Sequence, residues 1–228
     1  MALTRYELRL LGGLGLATPA LALLLFGGMA LLMGFLGANG AQVARVLVAA
    51  LELGLPLAAG VVAATVAADD PAVDLQLALK TRYRGTLARR LVVLALWTAL
   101  IAFLWTSALH TTGLWELWVP EPFFAGQLVW LSPLLWFVAA GALLSLTLGR
   151  TTGGAILGGL WAFENLFRGS FLTEEWLRPE FLFATTYAAG ADFWLTNRLA
   201  LISTALLMGV VVWALSSRTE SFARGGEA

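Results

Sequence analysis

Between Arg45 and Asp69 the chain carries one charged side chain, Glu52, set in an otherwise apolar run that includes Pro56. A carboxylate in such surroundings can relay protons or line a polar translocation path. It can equally accept hydrogen bonds from a facing helix and hold a bundle together. Glu164 stands four residues before Arg168, the favourable order for an ion pair along a helix, and the two are expected to form a structural pair. The only lysine, Lys80, follows Leu79 and not the glycine that a nucleotide-binding P-loop requires, so the chain has no P-loop of its own. The only histidine, His110, lies at the end of an apolar stretch, no GxSxG occurs, and cysteine is absent. A Ser–His dyad would have to run through His110, and thiolate chemistry is excluded. These residues predict no catalytic centre, no metal site and no bound cofactor, hence no enzyme.

The elements that must position Glu52 follow from composition. Of 228 residues, 60% are hydrophobic and 12% charged, and the mean hydropathy is +0.84. Such a chain belongs in a bilayer. Crossing hydrocarbon takes roughly 20 apolar residues in a helix. Six spans are predicted near residues 14–37, 43–68, 90–109, 126–149, 151–168 and 194–216. The segments are long and continuous, which favours helices over the short alternating strands of a barrel. The fold class is therefore an all-α integral membrane protein, a single domain over 1–228. Glu52 falls about eleven residues, or about 16 Å, from the outer end of its span. Arg5, Arg9, Lys80, Arg82, Arg84, Arg89, Arg90, Arg150, Arg218 and Arg224 fall on one side of these spans, against Arg45, Arg168, Arg178 and Arg198 on the other. The bias places both termini in the cytoplasm and the protein in the plasma (inner) membrane as a multi-pass chain. The balanced net charge speaks against a nucleic-acid partner.

The remaining charges concentrate in AADDPAVDLQLALKTRYRGTLARR, residues 67–90. Asp70 followed by Pro71 is a good helix start, because the side chain caps free amides and proline has none to lose. The helix predicted over 70–84 carries an apolar ridge of Leu75, Leu79 and Tyr83 beside a basic one of Lys80 and Arg84, with Arg82 between. It would lie at the cytoplasmic surface, on lipid headgroups or against another protein.

Together with the N-terminal TRYELRLL (amphipathic over 1–13), ELGLPLAAGVVAATVAADDP in the second span and the arginine-rich entry to the third, this layout resembles the membrane subunits of type 2 ATP-binding-cassette exporters. The resemblance implies that 70–84 is a coupling helix. It also implies that a separate ABC ATPase subunit supplies ATP and magnesium. A second permease subunit, identical or homologous, would pack near the first, second and fifth spans, with membrane lipids around the assembly. GSFLTEEWLRPEFLFATTYAAGADFW resembles the re-entrant helical hairpin such exporters carry before the last span, here over 169–192, with 217–228 as a cytoplasmic tail. From residue types alone, the aromatics Trp176, Phe181, Phe183, Tyr187, Phe193 and Trp194 suit the outer headgroup zone, and Pro179 divides the segment. Gly154 and Gly158 form a GxxxG in the fifth span, and Pro19, Pro56 and Pro133 are expected to kink theirs. The alternatives are a proton-coupled secondary transporter using Glu52, or a membrane scaffold that transports nothing.

Overall fold

In the computed structural model, residues 2–68 and 83–225 are described, and all regular structure among them is helical. Helix α1 (Ala2–Phe35) is followed by α2 (Gly40–Ala49), a π turn (Ala50–Gly54) and α3 (Leu55–Ala68), which together form one rod. Then come α4 (Tyr83–Thr111), the single turn α5 (Phe123–Gly126), α6 (Leu128–Leu148) and α7 (Arg150–Leu166). Short pieces follow: α8 (Arg168–Thr173), a 3-10 turn (Arg178–Glu180) and α9 (Ala184–Ala188), before the long α10 (Trp194–Gly225). Five helical segments are long and apolar enough to cross a membrane: Gly15–Phe35, Gly40–Ala68, Arg84–Thr111, Phe123–Leu148 and Trp194–Ser217. The expected fifth span is α7, which at 17 residues reaches only about 25 Å.

The centre of the bundle is the contact of α3 with α6. Glycine permits it: a Cβ on Gly141 would lie 2.2 Å from the Gly60 carbonyl oxygen, and one on Gly60 would lie 2.8 Å from that of Phe137. Without side chains at the crossing the backbones meet directly, the arrangement small residues allow in apolar bundles. Ser145 adds a hydrogen bond across the same interface, donating to the Ala64 carbonyl at 2.6 Å. Leu51, Leu55, Leu134 and Phe137 are fully enclosed around this axis. By contrast α1, α4 and α10 turn Leu24, Leu31, Leu96, Leu104, Leu207 and Val210 outward. Leucine faced outward along three helices is what hydrocarbon solvent selects.

Several boundaries differ from those the sequence predicts. Helix α1 starts at Ala2, so residues 2–13 continue into the first apolar helix and are not a separate segment. Tyr83 and Arg84 belong to the first turn of α4 and not to the end of a surface helix. No proline stands between them and Leu91, and Leu87 and Leu94 are buried two turns apart on the face that α4 shares with its neighbours. Asp70, Leu75, Leu79, Lys80 and Arg82, with the rest of the expected coupling helix, lie outside the described residues. Helix α10 runs past 217 to Gly225 in place of a separate tail. Of the three prolines expected to kink spans, only Pro56 adjoins a break in regular helix; α1 and α6 continue through Pro19 and Pro133.

Candidate functional site

The π turn places Glu52. Pro56 has no N–H to give the carbonyl four residues earlier, and the ladder here slips by one residue, with the Leu55 amide bonding the Ala50 carbonyl. The widened turn directs Glu52 into the core, where it is fully buried. Its two oxygens accept hydrogen bonds from the Thr185 amide at 2.8 Å and the Thr186 amide at 2.6 Å, and Arg198 pairs with it through Nη2. Thr185 and Thr186 lie in the first turn of α9, whose amides have no partner inside the helix. Glu52 therefore caps a helix that belongs to another part of the chain. Arg198 Nη2 also donates to Thr185 Oγ1 at 2.9 Å, Trp194 Nε1 donates to the same oxygen at 2.8 Å, and the guanidinium lies 5.6 Å from the Trp194 ring centre.

The same logic extends along residues 178–187, where side chains from α2, α7 and α10 satisfy the irregular backbone. Asn197 Nδ2 donates to the carbonyls of Arg178, Pro179 and Phe181 at 2.7, 3.1 and 2.7 Å. Glu164 Oε2 accepts from the Leu182 amide at 2.8 Å. Arg45 Nε donates to the Thr186 carbonyl at 3.0 Å, its guanidinium 5.3 Å from the ring centres of both Trp118 and Tyr187. Tyr187 donates to Asn165 Oδ1 at 2.6 Å. Because an unpaired backbone group in an apolar interior costs as much as a lost hydrogen bond or more, these side chains are the condition for burying a non-helical segment at all.

Two expectations are corrected here. Glu164 and Arg168 do not pair: Glu164 is drawn inward by the Leu182 amide, while Arg168 Nη1 donates to the Asn165 carbonyl at 3.1 Å and its guanidinium stacks on Tyr187. The aromatic residues of 176–194 do not form a surface collar. Trp176 is exposed, but Phe181, Phe183 and Trp194 are buried, with Phe171 stacked on Phe181 at 5.3 Å between ring centres. The segment folds inward because its backbone partners are there.

Arg198 is the functional side chain that sequence reading passed over, counting it only towards topology. Glu52 lies about three turns into its rod from Gly40, and Arg198 about one turn into α10 from Trp194. Matching depths along straight spans would not pair them. They meet because the inward-folded segment starts α10 about two turns deeper than α2. The usable signal was chemical: a buried acid needs a base, and Arg198 is the only one inside the apolar part of the last helix.

The cluster also holds polar atoms with no hydrogen-bond partner: Arg198 Nε and Nη1, Thr186 Oγ1 and Glu121 Oε2. Glu121, in the loop before α5, has its carboxyl pushed above the usual range, chiefly by burial. A backbone hydrogen bond and the Arg198 charge pull it down, and Glu52 pushes it further up. His110 stands apart, its Nδ1 against Glu116 and its ring 4.8 Å from that of Phe123. Among the described residues no three acidic or histidine side chains gather as a metal site would require. Comparison with family models, curated proteins and solved structures finds no match to the chain.

The geometry gives Glu52 three donors and no exposed surface, which suits a fixed anion that anchors α3, α9 and α10 to one another. Pro56 acts at one remove, by shaping the turn. Neither glycine of the expected GxxxG packs within the chain: Cβ atoms at Gly154 and Gly158 would meet nothing within 4 Å, and it is their neighbour Gly153 that packs on the Ser145 backbone of α6.

Proposed function

We propose that this chain is the permease subunit of an ATP-driven exporter, moving its substrate with the help of ATP hydrolysed on a separate subunit. In this reading α7 is the fifth of six spans, both termini are cytoplasmic, and the chain sits in the plasma (inner) membrane. The observation that carries it is the broken, inward-folded segment between α7 and α10, tied to the second span by Glu52 and to the last by Arg198. The type 2 exporters that the sequence resembles carry a helical hairpin in that place. The open face of α7 at Gly154 and Gly158 supports a second permease subunit, since a neighbouring backbone can approach closely there. The saturated, enclosed Glu52 favours an anchor over a proton carrier, because a carrier must exchange protons with a path and give up its partners to do so.

The arginine-rich entry to α4 and the segment before it would receive the ATPase. Affinity purification of the tagged full chain from its own membranes should then bring down magnesium-dependent ATP hydrolysis. Replacing Leu79 and Tyr83 together by alanine should remove that activity from the eluate while leaving membrane insertion unchanged, because buried apolar anchors commonly contribute about 2 kcal/mol or more to such contacts. An eluate without ATPase activity, or one indifferent to the double substitution, overturns the reading.

A further inference from the structure

We propose that the cleft between α1, α2 and α9 binds a single-chain fatty acid, with its carboxylate on Arg45 and its alkyl tail running inward beside α1. This rests only on the chain crossing a membrane and is independent of its being an exporter. The cleft is a cavity of about 370 Å³. Along the rod it runs from Gln42 to Leu53, about 16 Å at helical rise, and along α1 from Met33 to Phe26. Phe26 closes the deep end, its ring packed so tightly on Gly54 that a Cβ there would lie 2.6 Å from it.

The polarity of the cleft is one-ended. Gln42, Arg45 and Tyr187 line the end where α1 passes into α2, while Phe26, Ala49 and Leu53 line the other, with Thr186 between. Arg45 is held by its Nε bond to the Thr186 carbonyl at 3.0 Å and by the flanking rings of Trp118 and Tyr187, each centred 5.3 Å away. Among the described residues it makes no further hydrogen bond and no ion pair, so its two terminal nitrogens are unengaged. Arg168 stands at the same 5.3 Å from the Tyr187 ring centre, also without an ion pair, and adds a second positive charge. No acidic side chain among the described residues lines the cleft, and Glu52, behind Thr186, is already paired with Arg198. Side chains are described without a break over 15–68 and 84–217. The breaks fall beside Val62 and Ala67 of the rod, roughly 25 Å or more from Arg45 at helical rise. A cationic rim over an oily slot complements an acid head on an alkyl tail. Guanidinium offers a carboxylate two parallel N–H donors. With rings beside it the guanidinium is reached along its edge, which suits a planar carboxylate better than a tetrahedral phosphate, and a phospholipid would have to leave its second chain outside. Met29 and Met33, unbranched and adaptable, line the path of the tail.

The test uses the full chain in phosphatidylcholine nanodiscs at about pH 8.5, where a carboxyl is ionised even if the bilayer raises its pKa. A trace of palmitate or of hexadecanol, each with a photoreactive diazirine in its tail, is cross-linked by light, and the labelled residues are mapped by mass spectrometry. Saturable palmitate labelling within 26–33 and 42–53 is expected, about tenfold above the alcohol at equal membrane concentration, the worth of one charge-assisted hydrogen bond. Arg45→Gln should bring the two probes level. Ala49→Phe should fill the cleft and block both, and Met29→Trp, at an exposed position on its wall, provides a second blocking variant should the first not fold. Unlabelled palmitate should compete, and phosphatidylglycerol at the same concentration should not. Equal labelling by palmitate and alcohol in the unaltered chain overturns the proposal. So does a folded Arg45→Gln chain that keeps the preference, undiminished labelling in a folded blocking variant, or equal competition by phosphatidylglycerol.

Discussion

The two ends of the bundle solve the same problem in opposite ways. At the Glu52 end a non-helical segment lies in the interior, and charged and amide side chains converge on its backbone. At the Arg84 end α4 and α10 are unbroken helices, and an apolar groove opens between them and α6 with Arg84 at its rim. Regular helix frees side chains to be oil. Irregular backbone demands polar side chains, and each of those then demands a partner of its own.

That contrast predicts where substitutions hurt most. Arg198→Ala leaves Glu52 enclosed without its basic partner, with two amides for company, and removing one member of a buried pair typically costs about 3–5 kcal/mol. Thermal unfolding in mild detergent should show the loss. The double variant Glu52→Gln with Arg198→Met should recover part of it, since the stranded acid is gone, and no recovery would show that the segment depends on the charges themselves. A smaller effect separates two kinds of glycine. Gly141→Ala pushes a methyl against the Gly60 carbonyl and should cost about 1–3 kcal/mol in the same assay, whereas Gly158→Ala should change folding by no more than about 0.5 kcal/mol. If Gly158→Ala instead lowers the mass of the purified particle, the open face of α7 is an interface between chains.

The smallest effect is on pH. Burial raises the Glu121 carboxyl above its ordinary value and does the same at Glu180. An acid whose pKa is higher in the folded state contributes stability at low pH that is lost as pH rises from about 4.3 through the folded value. Unfolding temperature should therefore fall across that interval, and Glu121→Gln should shrink the fall while leaving the share of Glu180. A stability that rises over the same interval would mean that Arg198 outweighs burial at Glu121.

Much of the architecture was legible in advance. Apolar runs of membrane length fix where the long helices lie, because hydrocarbon tolerates little else, and the isolation of Glu52 marks it as a residue with a task. The reach of α4 back to Tyr83 was hidden because charge density, read as a surface signal, masked an uninterrupted helix. The expected Glu164–Arg168 pair failed because helical spacing makes two side chains neighbours without making them each other's best partner, and the Leu182 amide offered Glu164 a buried hydrogen bond.

By itself the sequence determined an all-helical membrane chain and singled out its one enclosed acid within the second long helical rod, since both follow from counting apolar residues against bilayer thickness and charges against hydrocarbon. Tertiary structure alone decided that the acid meets Arg198 and the amides of Thr185 and Thr186, more than 130 residues away. It also decided which glycines touch. These depend on how far one segment folds back into the bundle, a distance written in the packing of several helices at once and in no local pattern of residues.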